Sequence, residues 1–540
     1  MRARRLPPAT VLLLALLVPL STLIPVWQAY QIESPPEKNF LGFRYMPGDH
    51  YQYAAFARQA REDSSLLMRD PFTTEPQKGR FVLLYFWMIG RFAALTGLSI
   101  TAVWELFRVI GGALYIVTFW YLSAAWFQQH KSRLMATCLF ALAGGLGWLV
   151  TLLRALIGPI CDPLLYPFDF FWNWSTFGTM AVPNWIWPAL LLMLAFHAIL
   201  ARIRGRDLVV FVLPPMVWFM HGYSGLVAYA ILALLPLMPL IRAAFQLTPL
   251  PWDRAWSNLR VALPGLLSFG LVAAHLLVAR SDGVFRAVSA NGFSWTDNFS
   301  LWWYPLGYGV LLLPAWWGLK EICSEQSLSA DLLLSWAVAA FVLSINHFFA
   351  GVKFQYLLFT PLAVFAAKGL ERINGTFAAG AGNTKNPVAV GLLVAALFLD
   401  APMSLVKDMP GTADESEIFI SSDEMEAMEF LDKQPDGVVL ASYRNGNRIP
   451  WLAGKEVYVG HWFMTIHARE KSVEAAQMYK TQVPSDVKRA FLARSGASYL
   501  YYGAAEAKLG RVDPGLPLRR IFEKGEVAVY AVDTDRLFNP

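Results

Sequence analysis

A short stretch near the amino terminus, residues 44–53, combines a carboxylate, an imidazole and three tyrosines: Asp49, His50, Tyr45, Tyr51 and Tyr53. An aspartate in such surroundings can accept a proton as a general base, or it can bind a metal ion. It can also cap a helix, because Asp is a favoured N-cap residue and a short amphipathic helix can follow it through Arg61. The sequence supports a catalytic and a capping role for Asp49, and the two are compatible.

His50 has two interpretations of its own. An imidazole beside a carboxylate can orient that carboxylate or bind a metal ion. A histidine among tyrosines at a membrane surface can instead stack against their rings. His50 is therefore a candidate substrate-binding residue, with aromatic stacking as the alternative.

Two further acids lie in a loop, residues 158–184, that is rich in aromatic side chains. Asp162 and Asp169 are surrounded there by Tyr166, Phe168, Phe170, Phe171, Trp172 and Trp174. Carboxylates pair with sugar hydroxyls while aromatic rings contact the C–H faces of a sugar, so both acids are candidate substrate-binding residues. The alternative is a belt of interfacial aromatic residues with two turn-forming acids, and Pro163 after Asp162 fits such a turn.

His221 follows an apolar segment, 208–220, of only about 13 residues and precedes Gly222. Because a membrane span needs about 20 residues, the helix is predicted to break at His221. Helix breaks at membrane depth usually line cavities, which makes His221 a candidate substrate-binding residue. A histidine hydrogen-bonded between packed helices is the alternative.

The composition indicates the elements that must position these residues. Of 540 residues, 56% are hydrophobic and 16% are charged, with a mean hydropathy of +0.41. Soluble domains carry roughly 25% charged residues, and several apolar runs here approach the ~20 residues of a membrane span. The chain is predicted to be an α-helical polytopic membrane protein, with the lipid bilayer as its first partner.

The charge and the cysteines argue against two other kinds of partner. The net charge is +6, but the basic residues lie between apolar runs and form no separate basic stripe, so no nucleic-acid partner is expected. Cys138, Cys161 and Cys323 are far apart and lie in or beside apolar runs. They therefore form neither a zinc-site spacing nor a disulfide framework.

The membrane topology can be predicted from apolar runs and loop charges. Three arginines within residues 2–5 precede the first run, which Pro19 and Pro25 interrupt and which no cleavage site follows. The run is therefore interpreted as an uncleaved span with a cytoplasmic amino terminus. The run 81–98 carries Arg91 near its middle and is interpreted as a juxtamembrane or re-entrant helix. That interpretation also places the Lys131 and Arg133 loop in the cytoplasm, as the positive-inside rule favours.

About eleven crossings follow from this pattern, namely residues 11–27, 100–127, 134–157, 185–201, 208–220, 226–241, 261–278, 301–319, 332–349, 354–370 and 388–401. An odd number of crossings places the carboxyl terminus outside. The sequence thus predicts a transmembrane domain, 1–405, whose long first loop, 28–80, is exterior.

The remaining chain, residues 413–540, which we call the tail, is more charged and alternates between helix and strand patterns. Helices are predicted at 423–432, 473–480 and 485–494, and strands at 437–442, 456–460, 497–502 and 526–532. No helix there opens with a glycine-rich phosphate loop. The tail is predicted to be a small extracytoplasmic α/β domain that folds on its own.

This arrangement resembles the GT-C superfamily of integral-membrane glycosyltransferases, which use polyprenyl-phosphate sugars and include protein mannosyltransferases and lipid A aminoarabinose transferases. The stretch Gly48-Asp49-His50-Tyr51 resembles the acidic motif of the first loop in that superfamily. The tail segments Gly446-Asn447-Arg448-Ile449-Pro450 and Val457-Tyr458-Val459-Gly460-His461-Trp462 resemble tails of bacterial multispan proteins classed near it. The superfamily often has two adjacent acids in the first loop, whereas here His50 follows Asp49.

The resemblance implies an inverting glycosyltransferase of a bacterial inner membrane that moves a sugar from a polyprenyl-phosphate carrier to a lipid, glycan or protein acceptor. Asp49 would be the base, and a divalent cation is compatible with the reaction. Cations near the outer ends of spans would bind the carrier phosphate, with Lys353 and Arg280 as substrate-binding candidates beside Arg286. Snorkelling of these side chains is the alternative.

Two rival functions remain open at this point. A transporter or flippase would be expected to show two related halves with paired interrupted helices, and the sequence shows no such internal symmetry. A non-catalytic assembly protein of the cell envelope would tolerate loss of Asp49 but would require the tail.

Overall fold

The computed structural model describes residues 6–31, 37–158, 174–294, 301–380, 397–408 and 415–538. The chain divides into two compact units. We call Met1–Pro25, Trp104–His275 and Ser294–Pro410 the helical unit, and Val26–Val103, Leu276–Phe293 and Gly411–Pro540 the mixed unit. The mixed unit thus joins the tail to the first long loop and to a short segment near residue 280.

The helical unit consists almost entirely of α-helices. Its helices, two of which extend a few residues into the mixed unit, are Ala9–Ser21, Ile100–Ser123, His130–Leu142, Gly147–Ile157, Thr176–Met180, Pro183–Ala201, Arg206–Met220, Gly222–Leu234, Met238–Gln246, Trp252–Ala279, Tyr304–Tyr308, Leu312–Ser324, Leu328–Ser344, Gln355–Gly380 and Asp400–Asp408. Short 3-10 helices lie at Leu301–Trp303, Gly309–Leu311 and Gly351–Lys353.

Four helical segments in the described ranges are long and apolar enough to cross a membrane: Ala9–Gln31, Ile100–Ser123, Pro183–Ala201 and Trp252–Ala279. Two bent helix pairs, with bends of 44° and 59°, raise the number to six if each pair forms one span. The protein is a multi-pass membrane protein. The count of eleven crossings stays a prediction, and most of its last crossing, 388–401, lies outside the described residues.

Three predicted continuous helices are interrupted. The segments 134–157, 226–241 and 301–319 each contain a break, at 143–146, 235–237 and 309–311 respectively. Glycines lie at the first and third breaks: a Cβ on Gly145 would overlap the carbonyl group of Gly307, and Gly309 has a φ of +56°. The Leu146 amide also donates to the Leu306 carbonyl at 2.8 Å, so the two irregular segments satisfy part of each other's hydrogen bonding.

Small residues and one buried ionic network hold other helices of this unit together. A Cβ on Gly318 would overlap the Phe365 carbonyl oxygen, so Leu312–Ser324 and Gln355–Gly380 touch backbone to backbone there. The buried carboxylate of Asp331 accepts hydrogen bonds from Arg242 at 2.8 Å, Asn258 at 2.9 Å and the guanidinium of Arg254. A buried charge such as that of Asp331 requires partners of this kind. Because Arg242, Asn258 and Asp331 lie on different helices, the network joins three helices.

In the mixed unit, two helices of the first long loop and its continuation pack tightly against each other. Pro47–Asp63 lies against Leu84–Thr96, and a Cβ on Gly90 would overlap the Ala57 carbonyl oxygen. Leu84–Thr96 has 13 residues, or about 20 Å of helix, which is shorter than a membrane span. Arg91 donates to the Ala60 carbonyl at 3.3 Å, so its charge faces the partner helix.

The tail contains a four-stranded sheet in the order β3-β4-β6-β5. We number the strands β1 (Lys38–Phe40), β2 (Phe419–Ser421), β3 (Val438–Leu440), β4 (Ala497–Tyr502), β5 (Leu518–Lys524) and β6 (Val527–Val532). β3 pairs with β4 in parallel, and the other pairs are antiparallel. The predicted strands 437–442, 497–502 and 526–532 correspond to β3, β4 and β6. In place of the predicted strand 456–460, the structure has a single isolated bridge between Val439 and Val457.

Helices pack against this sheet, and the buried core between them contains side chains from both helices and strands. The helices of the tail are Glu415–Ile418, Ser422–Asp432, Tyr443–Gly446, Ile449–Leu452, Ala468–Gln477, Ser485–Ser495, Ala504–Ala507 and Thr534–Phe538. Tyr479, Phe491 and Leu500 are among the buried residues of the core. β1, from the first long loop, pairs antiparallel with β2, so the loop and the tail share a small sheet.

Candidate functional site

Asp49 lies in the first turn of the helix Pro47–Asp63, at its third residue. The interpretation of Asp49 as the N-cap is wrong, because Met46 occupies that position with a left-handed φ of 42°. Pro47 takes the first helical position, where its fixed φ is suited to a helix and its missing N–H costs nothing. The carboxylate still lies near the positive end of the helix dipole, which favours its ionised form.

His461 of the tail contacts this carboxylate directly. Its Nε2 atom lies 3.1 Å from Oδ1 of Asp49. The histidine side chain is 3% exposed and the aspartate side chain is 25% exposed. The imidazole is therefore a buried support, and the carboxylate it contacts remains accessible.

The second ring nitrogen of His461 determines which way the hydrogen bond runs. The backbone N–H of Phe463 donates to Nδ1 at 3.3 Å, so Nδ1 is the unprotonated nitrogen of a neutral ring. Nε2 then carries the proton and donates to Asp49. This is the tautomer in which a neutral imidazole can hold an ionised carboxylate.

The loop that bears His461 is fixed to the segment around Phe72 and Thr73. Thr465 donates through its hydroxyl to the Phe72 carbonyl at 2.8 Å and accepts from the Gly460 amide at 3.0 Å. The Ile466 amide donates to the Thr73 hydroxyl at 3.3 Å. The imidazole also lies against the edge of the Phe72 ring, with centroids 6.2 Å apart. These contacts leave the ring little freedom to move.

A second connecting segment of the tail contacts the start of the Asp49 helix; it consists of the short helix Tyr443–Gly446 with Ser442 and Asn447 on either side, and we call it the 442–447 loop. Asn447 donates through Nδ2 to the Gly48 carbonyl at 3.0 Å. The buried Glu506 organises this loop by accepting hydrogen bonds from the Ser442 amide and from Asn445, both at 2.8 Å. Burial raises the pKa of Glu506, and the hydrogen bonds from the loop oppose that increase.

Two partly exposed aromatic side chains lie next to the Asp49–His461 pair: the Trp462 ring contacts the His461 ring, with centroids 5.9 Å apart, and Tyr443 is close enough to Asp49 to be affected by its charge. Tyr443 is 37% exposed and Trp462 is 47% exposed, and the Trp462 amide donates to the Tyr443 hydroxyl at 3.2 Å. Burial raises the pKa of Tyr443, and the neighbouring charge of Asp49 acts in the same direction. Exposed rings beside a carboxylate suit the binding of a sugar, whose C–H groups contact the rings while its hydroxyls pair with the acid.

His50 is buried in the same helix turn. Its Nδ1 donates to the Met46 carbonyl at 2.9 Å, and its ring packs against Phe43 and Tyr53 with centroids 5.2 and 5.6 Å away. These contacts match the stacking alternative. A role of His50 in substrate binding stays a prediction.

In the helical unit, the structure brings two separately predicted residues into one cluster. His221 has extended backbone angles between two helices, as the predicted break requires, and its Nδ1 lies 2.6 Å from the Ser224 hydroxyl. Ser224 bonds in turn to Tyr356, whose ring stacks on Trp185 at 5.1 Å. Nζ of Lys353 lies 5.2 Å from the centroid of the same Trp185 ring. A polar, partly cationic cluster thus surrounds the break.

The remaining candidates are less completely defined. Arg280 is exposed just after the helix Trp252–Ala279, and Arg286 is exposed in the helix Gly283–Ser294. Between them, Asp282 is buried and accepts backbone hydrogen bonds from Lys78 at 2.5 Å and Phe285 at 3.0 Å. Asp162 and Asp169 lie outside the described residues.

No group of three or more His, Cys, Asp or Glu side chains suited to a metal ion occurs within the described part of the chain. Asp49 and His461 supply only two such side chains, and His461 uses both ring nitrogens in hydrogen bonds. The described residues therefore do not complete a metal site.

The sequence alone does not identify His461 as a site residue. It shows only that His461 belongs to a segment that resembles related tails. One further signal was available: His461 directly follows the predicted strand 456–460, and residues at strand ends often reach functional sites. Its partner could not be identified, because the contact joins positions 412 residues apart.

No protein-family model matches the sequence, and no curated protein matches it. Solved structures do share its fold. The apo oligosaccharyltransferase of Archaeoglobus fulgidus is 15% identical, with a TM-score of 0.55 over 97% of this chain and 74% of the other. ArnT of Cupriavidus metallidurans is 13% identical, with a TM-score of 0.50 over 95% of this chain and 97% of the other.

The same archaeal enzyme also matches in complexes. With an inhibitory peptide and a dolichol-phosphate, it is 14% identical at a TM-score of 0.52, over 91% of this chain and 69% of the other. A complex with Zn and sulfate is 14% identical at a TM-score of 0.54, over 96% and 73% respectively. Identities this low show a common fold, and the fold extends over nearly the whole chain.

Proposed function

We propose that this chain, which has the fold of the GT-C glycosyltransferases, is a membrane glycosyltransferase with Asp49 as its general base. The observation that carries the proposal is the placement of Asp49. Its carboxylate is accessible and is bound by a buried histidine, and the exposed side chains of Tyr443 and Trp462 lie next to this pair. A carboxylate held in this way is suited to accept a proton from an acceptor hydroxyl or amide group.

The reaction is a single displacement at the anomeric carbon of the donor sugar. Asp49 accepts the proton of the acceptor group as that group forms a bond to the anomeric carbon. The bond between that carbon and the carrier phosphate breaks on the opposite face, and the phosphate leaves with the bonding electron pair. The product is a glycoside of inverted configuration, together with a polyprenyl phosphate and a protonated Asp49 that later releases its proton.

The donor in this proposal is a polyprenyl-phosphate sugar, since the archaeal enzyme of the same fold was solved with a dolichol-phosphate. A leaving phosphate requires nearby positive charge. Lys353, next to Trp185 and the His221 cluster, is our candidate for that role. Arg280 is a second candidate because it is exposed just after an apolar helix.

The acceptor sugar or side chain would lie against Tyr443 and Trp462, with Asp162 and Asp169 as further substrate-binding candidates. A divalent cation is compatible with this proposal, because it would neutralise charge on the donor phosphate. The archaeal enzyme was also solved with Zn. The described residues do not complete such a site, so we assign no step to the cation.

The proposed location is the inner membrane of a bacterium, with a cytoplasmic amino terminus and the tail on the outside. The polyprenyl chain of the donor stays in the bilayer, so the transfer must occur at the membrane surface. The charge distribution of the loops supports this orientation.

The test is complementation of a deletion strain by Asp49→Asn, read on its glycoconjugate profile with protein level measured in parallel. Asn keeps the size of Asp and does not occupy the N-cap, so the variant should fold. Loss of a general base lowers rates by about 10²–10⁴-fold, so the glycoconjugate should stay incomplete. The matched control is Asp63→Asn, an exposed aspartate in the last turn of the same helix. Full complementation by Asp49→Asn would contradict the proposal and favour a flippase or an assembly protein.

A further inference from the structure

We propose that His461 is a positioning residue for Asp49, so that the tail completes the catalytic site of the first long loop. The inference rests on the proposed function, in which Asp49 is the base. Nε2–H of His461 binds one carboxylate oxygen of Asp49 at 3.1 Å. That bond sets the direction of the lone pairs that accept the proton from the acceptor.

The second ring nitrogen of His461 supports this role. The Phe463 amide donates to Nδ1 at 3.3 Å and so fixes the proton on Nε2. If Nδ1 carried the proton, Nε2 would present a lone pair to the carboxylate and the two would repel each other. The amide of Phe463 therefore specifies the tautomer, and the tautomer specifies a bond to Asp49.

The position of the ring is set by close backbone contacts. A Cβ on Gly460 would lie 2.7 Å from a ring carbon of Phe72, and a Cβ on Gly446 would overlap the Val459 carbonyl oxygen. The backbone that precedes His461 is therefore closely packed against Phe72 and Gly446. Because the ring is 3% exposed, water does not compete for its hydrogen bonds.

A carboxylate in the first turn of a helix has two side-chain torsions that the helix alone does not fix. The hydrogen bond from His461 restricts this freedom. A displacement of about 1 Å in a reacting group costs about 10²-fold in rate. Loss of the His461 bond should therefore lower the rate of transfer by about 10²-fold, because the carboxylate of Asp49 is still present but is no longer held in one direction.

Two variants, each of which replaces the function of one ring nitrogen, distinguish positioning from a purely structural role. His461→Gln can reach Asp49 with an amide N–H in place of Nε2. His461→Asn offers an acceptor to the Phe463 amide in place of Nδ1 but is too short to reach Asp49. We expect His461→Gln to restore the glycoconjugate in the deletion strain at a rate within about 10-fold of the unaltered protein. His461→Asn should restore it about 10²-fold more slowly, at equal protein level.

The reverse ranking, with His461→Asn active and His461→Gln inactive, would overturn the inference, because the residue would then only stabilise its own loop. Equal activity of both variants at the unaltered rate would overturn it too. Full activity of Asp49→Asn would be a different result, because it would show that Asp49 is not the base. The proposed function would then fail, and a positioning residue would not be needed.

A second measurement does not depend on transfer of a sugar. Nitrogen NMR of the full-length protein with isotope-labelled histidine, assigned by comparison with His461→Gln, reports which ring nitrogen carries the proton. We expect a neutral ring protonated at Nε2, and a shifted Nε2 resonance in Asp49→Ala. A ring protonated at Nδ1, or a resonance unchanged by Asp49→Ala, would contradict the proposed contact.

Discussion

Nε2 of His461 lies 3.1 Å from Oδ1 of Asp49, although 412 positions separate the two residues in the sequence. One residue belongs to the first long loop and the other to the tail, and both lie in the mixed unit. The tail therefore contributes a side chain to the site that the first loop begins. Variants of the tail should alter activity as well as stability.

The aromatic pair beside Asp49 gives a prediction about substrate binding. Trp462→Ala should weaken binding of the sugar by about 2–10-fold, because one aromatic contact contributes about 0.5–1.5 kcal/mol beyond the area it buries. Trp462→Phe keeps a ring and should lose less. The measurement is the rate at which the glycoconjugate returns in the deletion strain at limiting expression. Trp256→Ala, at an exposed tryptophan of the helical unit, is the control. Equal rates for Trp462→Ala and the unaltered protein would argue against a sugar contact.

The burial of Asp70 leads to a prediction about how the stability of the protein depends on pH. It is fully buried, and burial raises its pKa well above the ordinary value of 3.8. A group with a raised folded-state pKa stabilises the protein below its unfolded pKa, and that contribution is lost as pH rises toward the folded-state pKa. Within this window the loss is about 1.4 kcal/mol for each pH unit.

Asp70→Asn cannot ionise and keeps an oxygen for the Phe72 amide, which now donates to Oδ1 at 2.9 Å. The stability of the variant should therefore not decrease above pH 4, as that of the unaltered protein should. At neutral pH the variant should have the higher melting temperature. Thermal unfolding of the purified full-length protein from pH 4 to 8 measures this. Parallel melting curves for the two proteins across that range would show that Asp70 does not titrate in it.

For Glu75, we expect the opposite dependence of stability on pH. Burial raises its pKa, but hydrogen bonds from Lys471, at 2.7 Å, and from Thr73 outweigh that effect and hold the pKa below 4.5. A lowered folded-state pKa gives stability that is present above the unfolded pKa and is lost as pH falls through the folded-state pKa. Glu75→Gln should therefore destabilise the protein at neutral pH and leave it less sensitive to acid.

The size of this effect should be small, because Glu75 is one-third exposed and exposed ion pairs contribute only about 0.2–1 kcal/mol. Glu470→Gln, at an exposed glutamate of the adjacent tail helix, provides the control. If Glu75→Gln and Glu470→Gln melt alike at pH 7, the contact with Lys471 does not stabilise the folded state.

The close crossing of two helices at Gly318 gives a prediction for the helical unit. Gly318→Ala places a methyl group on the Phe365 carbonyl oxygen and should cost at least about 1–3 kcal/mol, or prevent folding. Gly270→Ala is the matched control, since no atom lies within 4 Å of the added carbon. It should stabilise its helix by up to about 1 kcal/mol. Thermal unfolding and yield in detergent compare the two. Equal behaviour would mean that the helices are further apart.

The proposed orientation can be tested by labelling single cysteines in a background without the three native ones. Gln129→Cys and Lys508→Cys are suitable, because both side chains are exposed, whereas Ser132 is buried and donates to Glu371. A reagent that does not cross the membrane should label position 508 and leave position 129 unlabelled in intact cells. Labelling of position 129 would show that residues 81–98 cross the membrane.

Several features of this protein follow from local sequence alone. The apolar runs predict a membrane protein, the short run before Gly222 predicts the break at His221, and alternating patterns predict β3, β4 and β6. Each depends on residues close together in the chain, so local periodicity and length decide it. The resemblance of residues 48–51 to a known motif also pointed to Asp49.

Tertiary structure decided the rest. Met46 rather than Asp49 takes the N-cap position because Pro47 and the packing of the loop determine where the helix begins. The bond between Asp49 and His461, like the burial of Asp331 with two arginines, forms only when distant segments pack together. Local propensity does not encode such contacts, since their energy comes from burial and hydrogen bonds between elements far apart in the chain.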